Sequence, residues 1–259
     1  MPENILEFIT KSSTEKDYII DQLIRKDSGY GIIAGRTGLG KTNMLLNLSM
    51  WLAMGEPFFE LNTKKSRVLY LGFEGGRENL QDRYTKLILR RTGPVPEGEW
   101  LQVERKDSFV LAKNKDEFKE LISPFDVVML DPIKWAVGGD YTRPCVAAEF
   151  TKTLIEILRS EGKTAIISMQ IRKPDTRVKV DPGDLFSLKG AADYVEDAAF
   201  TLLLERSEMR GRNISAKEKD RYLTLYYAKH REATRDLTPV ELFYDYDNCE
   251  FKRCVDGVL

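Results

Sequence analysis

At 259 residues, with 42% hydrophobic and 31% charged side chains, the chain has the length and apolar content for one large α/β domain with its own core. Lys and Arg number 40 against 41 Asp and Glu, a net charge of −1, which excludes a global basic field; contact with nucleic acid then needs a local patch or charge gathered by a ring of subunits. Cys145, Cys249 and Cys254 have no C-x-x-C spacing, no apolar run reaches the ~18–20 residues of a membrane helix, and Met1–Asn4 opens no signal peptide, so we expect a cytoplasmic protein with reduced thiols and no membrane partner.

Residues 1–29 read as an N-terminal lead-in with one mildly apolar stretch, 18–24, suited to docking on this subunit or a neighbour. Residues 30–259 read as the main domain. Its first strand is the apolar run Tyr30–Ala34. The loop Gly35-Arg36-Thr37-Gly38-Leu39-Gly40-Lys41-Thr42 follows and fits G-x-x-x-x-G-K-[ST], and a helix is predicted over 43–54, closed by Gly55 and Pro57. Strand, glycine loop and helix together make an anion site from backbone N–H groups and the positive end of the helix dipole. In that geometry Lys41 reaches the β- and γ-phosphates of a nucleoside triphosphate, and the Thr42 hydroxyl takes a place on Mg²⁺.

Further along, a buried strand is predicted over 67–73, a helix over 77–90, a loop over 92–98, an edge strand over 100–103 and a short helix over 115–122. Strands over 125–131 and 163–170 flank a helix over 147–160. This alternation, with nearly continuous apolar strands, argues for a mostly parallel sheet covered by helices on both faces. After Asp197 the pattern changes. Strands over 198–204, 222–228 and 240–246, with no helix-length spacer between the last two, predict an antiparallel C-terminal extension.

In open α/β sheets ligands sit beyond the carboxyl ends of the strands. One strand ends in Asp131 behind Val127–Leu130, the apolar run plus Asp that holds Mg²⁺ in P-loop NTPases. Another ends at Glu74, placed to orient and deprotonate an attacking water; we expect its strand to adjoin the P-loop strand. A third ends in Gln170, whose amide can sense the γ-phosphate. Lys229 and Arg231 point the same way from an extended chain and offer paired cations for the developing phosphoryl charge.

These residues carry a resemblance. Gly35–Thr42, Glu74, Asp131, Gln170, Lys189-Gly190-Ala191-Ala192 and Ala228-Lys229-His230-Arg231 stand in the order seen in RecA-like hexameric ATPases, over roughly residues 18–246. The chain is most similar to RepA-type plasmid replicative helicases and to the ATPase domain of DnaB-type helicases. Asp131-Pro132-Ile133-Lys134-Trp135 resembles the RepA-like second motif. RepA-like proteins carry His-His where this chain has Met169-Gln170, and Arg-Gly-Ser-Ser where it has 189–192. The resemblance implies a RecA-like P-loop fold, ATP and Mg²⁺ as cofactors, and a ring homo-oligomer, expected to be a hexamer. It implies Glu74 as catalytic base, Thr42 and Asp131 on the metal, and Lys229 with Arg231 acting on the nucleotide of the adjacent subunit.

It also implies channel loops, here about 133–144 and 171–187, that grip single-stranded DNA. Trp135 is the stacking candidate in the first. Arg172, Lys173, Arg177 and Lys179 are the phosphate-binding candidates in the second. The functional expectation is an ATPase coupled to single-stranded DNA, a replicative helicase or a replication or recombination motor. The alternative is an oligomeric regulatory or loading ATPase acting on a protein partner.

Overall fold

The computed structural model describes residues 4–5, 17–89, 94–107, 109–171, 192–207, 216–234 and 237–254. A short hairpin, β1 (Tyr18–Ile20) with β2 (Ile24–Arg25), precedes the P-loop strand β3 (Gly29–Gly35). The order then runs α1 (Lys41–Met54), β4 (Val68–Gly72), α2 (Arg77–Leu89), β5 (Leu101–Arg105), α3 (Lys115–Ile122), β6 (Val127–Asp131), α4 (Pro144–Glu161), β7 (Thr164–Gln170) and α5 (Ala192–Asp197). It closes with β8 (Phe200–Arg206), β9 (Tyr222–His230), β10 (Val240–Asp245) and β11 (Glu250–Arg253). Among the described residues no helix is long and apolar enough to cross a membrane.

One sheet of nine strands has the order β11-β10-β9-β8-β3-β7-β6-β4-β5. From β8 to β5 neighbouring strands are parallel; β9, β10 and β11 add on antiparallel. β3, β4 and β6 are buried along their whole length, because helices cover both faces. The pleat divides each strand between two cores. Val68, Tyr70, Val127 and Met129 face the core that holds α1 and Tyr84 of α2. Leu69, Leu71, Val128 and Leu130 face the core that holds Phe118 of α3 and Leu154 and Leu158 of α4.

The expectation that Glu74's strand adjoins the P-loop strand is overturned: β7 and β6 lie between β3 and β4. The physical reason is reach. The 14 residues of α1 extend about 21 Å, more than the three strand spacings, about 14 Å, separating β3 from β4. The connection 55–67 then brings the chain back to start β4.

The apolar stretch of the lead-in docks on its own subunit. Ile19, Ile20, Leu23 and Ile24 are buried in the α1-side core. Lys64 N–H donates to the Ile19 carbonyl (2.9 Å), and Lys64 Nζ lies 2.7 Å from Asp17 Oδ1.

The C-terminal hairpin, whose last strand the sequence pattern did not signal, is stitched to the P-loop helix by one buried side chain. Asn47 Nδ2 donates to the carbonyls of Cys249 (2.8 Å) and Asn43 (2.7 Å), and its Oδ1 accepts from Phe251 N–H (3.2 Å). Asn47→Ala leaves a buried N–H and a buried carbonyl without partners, and we expect a loss of about 2–4 kcal/mol, read as a lower urea midpoint at unchanged m-value.

Candidate nucleotide site

The turn after β3 is built for a phosphate. Gly38 and Gly40 sit at φ +83° and +82°, the left-handed region that side chains disfavour. A Cβ on Gly40 would also stand 3.2 Å from the Phe251 ring of the C-terminal hairpin. Gly40 is the N-cap of α1; it has no side-chain cap, and the first turn carries no acid. The helix dipole and the N-terminal N–H groups are therefore not answered by a side chain of that turn. Lys41 Nζ folds back onto the Arg36 carbonyl at 2.9 Å. Burial lowers the Lys41 pKa, and the Lys134 ammonium adds to this, while the charges of Asp131 and Glu74 oppose it.

Strand register gathers the other groups. Gly35 pairs with Gln170, Gly72 pairs with Asp131 and Leu130 with Ile167, so β3 and β7 run two residues past the ends of β4 and β6 on the same edge of the sheet. A cavity of about 300 Å³ opens there, lined by the P-loop, Glu74, Asp131, Ser168 and Gln170. Glu74 thus reaches the same cavity as Lys41 without strand adjacency. Asp131 is 4% exposed. Its Oδ2 accepts from Tyr70 O–H at 2.5 Å, and its Oδ1 accepts from Ser168 O–H. Burial, then the Asp131 charge, raise the Tyr70 pKa well above the ordinary range, so that phenol stays a donor. Gln170 Nε2 donates to Thr37 Oγ1 in the P-loop. Thr42 and Asp131 line one wall together. A hydroxyl and a fixed carboxylate beside a phosphate cradle are the hard oxygen donors that Mg²⁺ takes, so these residues fit that ion.

Lys229 and Arg231 are elsewhere. β9 runs antiparallel to β8, with Phe200 opposite His230 and Thr201 opposite Lys229, while β8 runs parallel to β3 with Gly31 beside Phe200. The pair therefore sits at the amino end of the parallel strands; Gly31 to Gly35 alone is about 13 Å along the sheet. Lys229 Nζ donates to the carbonyls of Val195 and Glu196, and Arg231 also donates to Glu196 O, all at the carboxyl end of α5. Burial, then the neighbouring Arg231, lower the Lys229 pKa to about 8, against Asp197 and Glu196. His230 between them has a buried Nδ1 with no hydrogen-bond partner among the described residues.

Of the nucleic-acid candidates, Trp135 lies in a 3-10 turn, Ile133–Trp135, and is 49% exposed. Arg172, Lys173, Arg177 and Lys179 lie outside the described residues, as do Lys189, Gly190 and Ala191.

Several residues in or beside the cavity had no signal that set them apart. Arg83, on α2, lines the cavity with Glu74 and Asp131. Its position beside the apolar Tyr84 looks in sequence like a solvated helix face. Lys134 Nζ lies 3.1 Å from Glu74 Oε1. Leu223, Tyr244 and Tyr246 close the side of the cavity away from Glu74, brought there by the antiparallel extension. Tyr70 and Ser168 read simply as strand-interior residues; only Asp131 gives them a polar task.

Comparison with known proteins adds the following. The sequence profile of the family described as AAA domain matches residues 3–176. The fold is similar to a solved structure titled "ATPase Domain of G40P", at 14% identity and TM-score 0.66, covering 87% of this chain and 84% of that one. It is also similar to a DnaB-like replicative helicase solved to show its interactions with primase, at 14% identity and TM-score 0.67. That match covers 95% of this chain and 66% of the other. At such identity the likeness speaks for the fold, which is the RecA-like fold expected from the sequence. No curated protein sequence matches the chain.

Proposed function

The chain belongs to the AAA-domain family, and from that premise we propose that it is a Mg²⁺-dependent ATPase that assembles as a ring and couples hydrolysis to single-stranded DNA. The observation that carries this reading is the convergence of Lys41, Thr42, Glu74, Asp131 and Gln170 on one cavity at the ends of four strands. Likeness to the ATPase domain of G40P and to a DnaB-like replicative helicase supports the DNA-coupled form of it.

In this mechanism the triphosphate lies along Gly35–Thr42, with N–H groups of the loop and Lys41 on its β- and γ-oxygens. Thr42 and Asp131 would hold Mg²⁺, which when bound would neutralise developing charge on the phosphoryl oxygens. Tyr70 and Ser168 keep the Asp131 carboxylate fixed. Glu74 orients water and accepts its proton. Gln170, bonded to Thr37, reports the occupied loop to the segment after β7. Arg83 adds a cation within the subunit. Lys229 and Arg231 face away from their own nucleotide cavity, so they serve the site of the next subunit across a head-to-tail interface. Trp135 stacks on a base of the strand, and Arg172, Lys173, Arg177 and Lys179 hold its phosphates.

Adding single-stranded DNA to the purified protein raises ATP turnover several-fold, with binding that weakens as salt rises. Absence of both for every polynucleotide tested overturns the DNA-coupled reading and favours an ATPase whose client is a protein.

Two tests address the trans cations. Glu74→Gln and Arg231→Ala subunits, each inactive alone, regain activity when mixed, because about one junction in four pairs an intact Glu74 with an intact Arg231 in a randomly mixed ring. Normal hydrolysis by Arg231→Ala alone overturns the assignment. Since the Lys229 pKa in the subunit lies near 8, below its ordinary value, Lys229 is charged below that pH and neutral above it. Hydrolysis therefore falls as pH rises through about 8, and Lys229→Arg, which stays charged, moves that alkaline limb upward in a pH–kcat/KM profile. An unmoved limb removes Lys229 from the mechanism.

A further inference from the structure

We infer that Lys134 is a positioning residue that holds the Glu74 carboxylate away from the attack position and lets it go when the turn carrying Trp135 is displaced. The inference rests on the reading of Glu74 as the base of an ATPase.

The chain path supplies the connection. Glu74 stands just past the end of β4, and Lys134 stands in the 3-10 turn just past the end of β6. The roots of the two loops are tied by Phe73 N–H donating to the Asp131 carbonyl at 2.8 Å. Their tips are bridged, among the described residues, through side chains, Lys134 Nζ to Glu74 Oε1 at 3.1 Å. An oxygen that accepts from an ammonium is turned toward Lys134 and not toward a water on the γ-phosphate. The same ammonium lies 5.3 Å from the centroid of the Trp135 ring, within the range of a cation–π contact. Lys134 therefore sits between the base and the exposed aromatic surface on which a nucleobase would stack. A strand that takes the Trp135 face competes for that ammonium and shifts the turn that carries it.

The strength of the pair suits release. Glu74 is 58% exposed and Lys134 30% exposed at the side chain, and ion pairs this open to water contribute little. Removing Lys134 should thus raise the DNA-free rate only about two- to five-fold, the range an exposed pair supports. A buried lock would hold the base too tightly for a strand to release it.

The test compares wild type, Lys134→Met and Lys134→Arg, measuring kcat and KM for ATP with and without single-stranded oligonucleotide. The expected result for Lys134→Met is a DNA-free kcat raised about two- to five-fold, an unchanged KM, and a stimulation by DNA reduced by the same factor. Lys134→Arg, which keeps the charge, stays near wild type. A lower kcat or higher KM for Lys134→Met means that the ammonium serves the phosphates, and an unchanged kcat means that it is only a surface pair; either overturns the inference. No hydrolysis by wild type under any condition is a different failure, that of the ATPase reading itself.

Discussion

The fold around the nucleotide cavity depends on placing a carboxylate where water hardly reaches it. Asp131 at the end of β6 is 4% exposed, and an ionised carboxylate in such a position is costly unless its oxygens are given donors. Tyr70 from the neighbouring strand β4 and Ser168 from the neighbouring strand β7 supply one each. Those two donors come from opposite sides of β6, so the carboxylate is held only if β4, β6 and β7 keep their register. The register that satisfies Asp131 is the one that pairs Gly72 with Asp131 and Leu130 with Ile167. A local electrostatic requirement and the alignment of the three strands that lead to Glu74, Asp131 and Gln170 are therefore one constraint.

Much of this was legible in the chain because it is local. The P-loop is contiguous, and its two left-handed glycines, Gly38 and Gly40, are written as glycines. Strands that end in Asp131, Glu74 and Gln170 announce themselves as apolar runs stopping at a polar residue. Lateral order is not local. Nothing between Gly35 and Val68 states that α1 passes over two strands, so the neighbour of β3 was misplaced even though Glu74 was rightly put at a strand end. The C-terminal hairpin was half legible for a related reason. β10 alternates cleanly, whereas β11 is four residues long and owes its place to Asn47, a helix residue some two hundred positions earlier. Arg83, Tyr246 and Lys134 were invisible because a surface-like residue gains its meaning only from the cavity wall it joins or, for Lys134, from the carboxylate it meets.

The sheet has two chemically different ends. At the carboxyl end of its parallel strands the cavity gathers Lys41, Glu74, Asp131 and Gln170. At the amino end, the end of β9, paired antiparallel with the start of β8, puts Lys229 and Arg231 on the carbonyls of α5. These cations cap a helix terminus within the subunit, a placement that matches the negative end of its dipole. Burial and the neighbouring Arg231 charge hold the Lys229 pKa down to about 8 in spite of Asp197 and Glu196. An anion approaching from outside would be a better partner for both groups than the carbonyls they hold. That preference is what the proposed head-to-tail ring would use, since it sets the amino end of one sheet against the carboxyl end of the next.

Strength is distributed in the site according to what must stay and what must move. The parts that define geometry are buried and multiply bonded: Asp131 between two hydroxyls, and Asn47 with three bonds tying α1 to the hairpin that closes the cavity. Breaking any of these leaves a desolvated polar group, so they act as fixed points. The parts assigned to the reaction cycle are lightly held: Glu74 on Lys134, Gln170 on Thr37, and Lys41 on the Arg36 carbonyl. Each is a single contact that water can replace at small cost. A triphosphate entering the P-loop competes directly for Lys41 and Thr37, and through them for Gln170, without disturbing the buried frame. The same division explains why the Glu74–Lys134 pair belongs with the moving parts: it lies on the tips of two loops whose roots, at Phe73 and Asp131, belong to the frame.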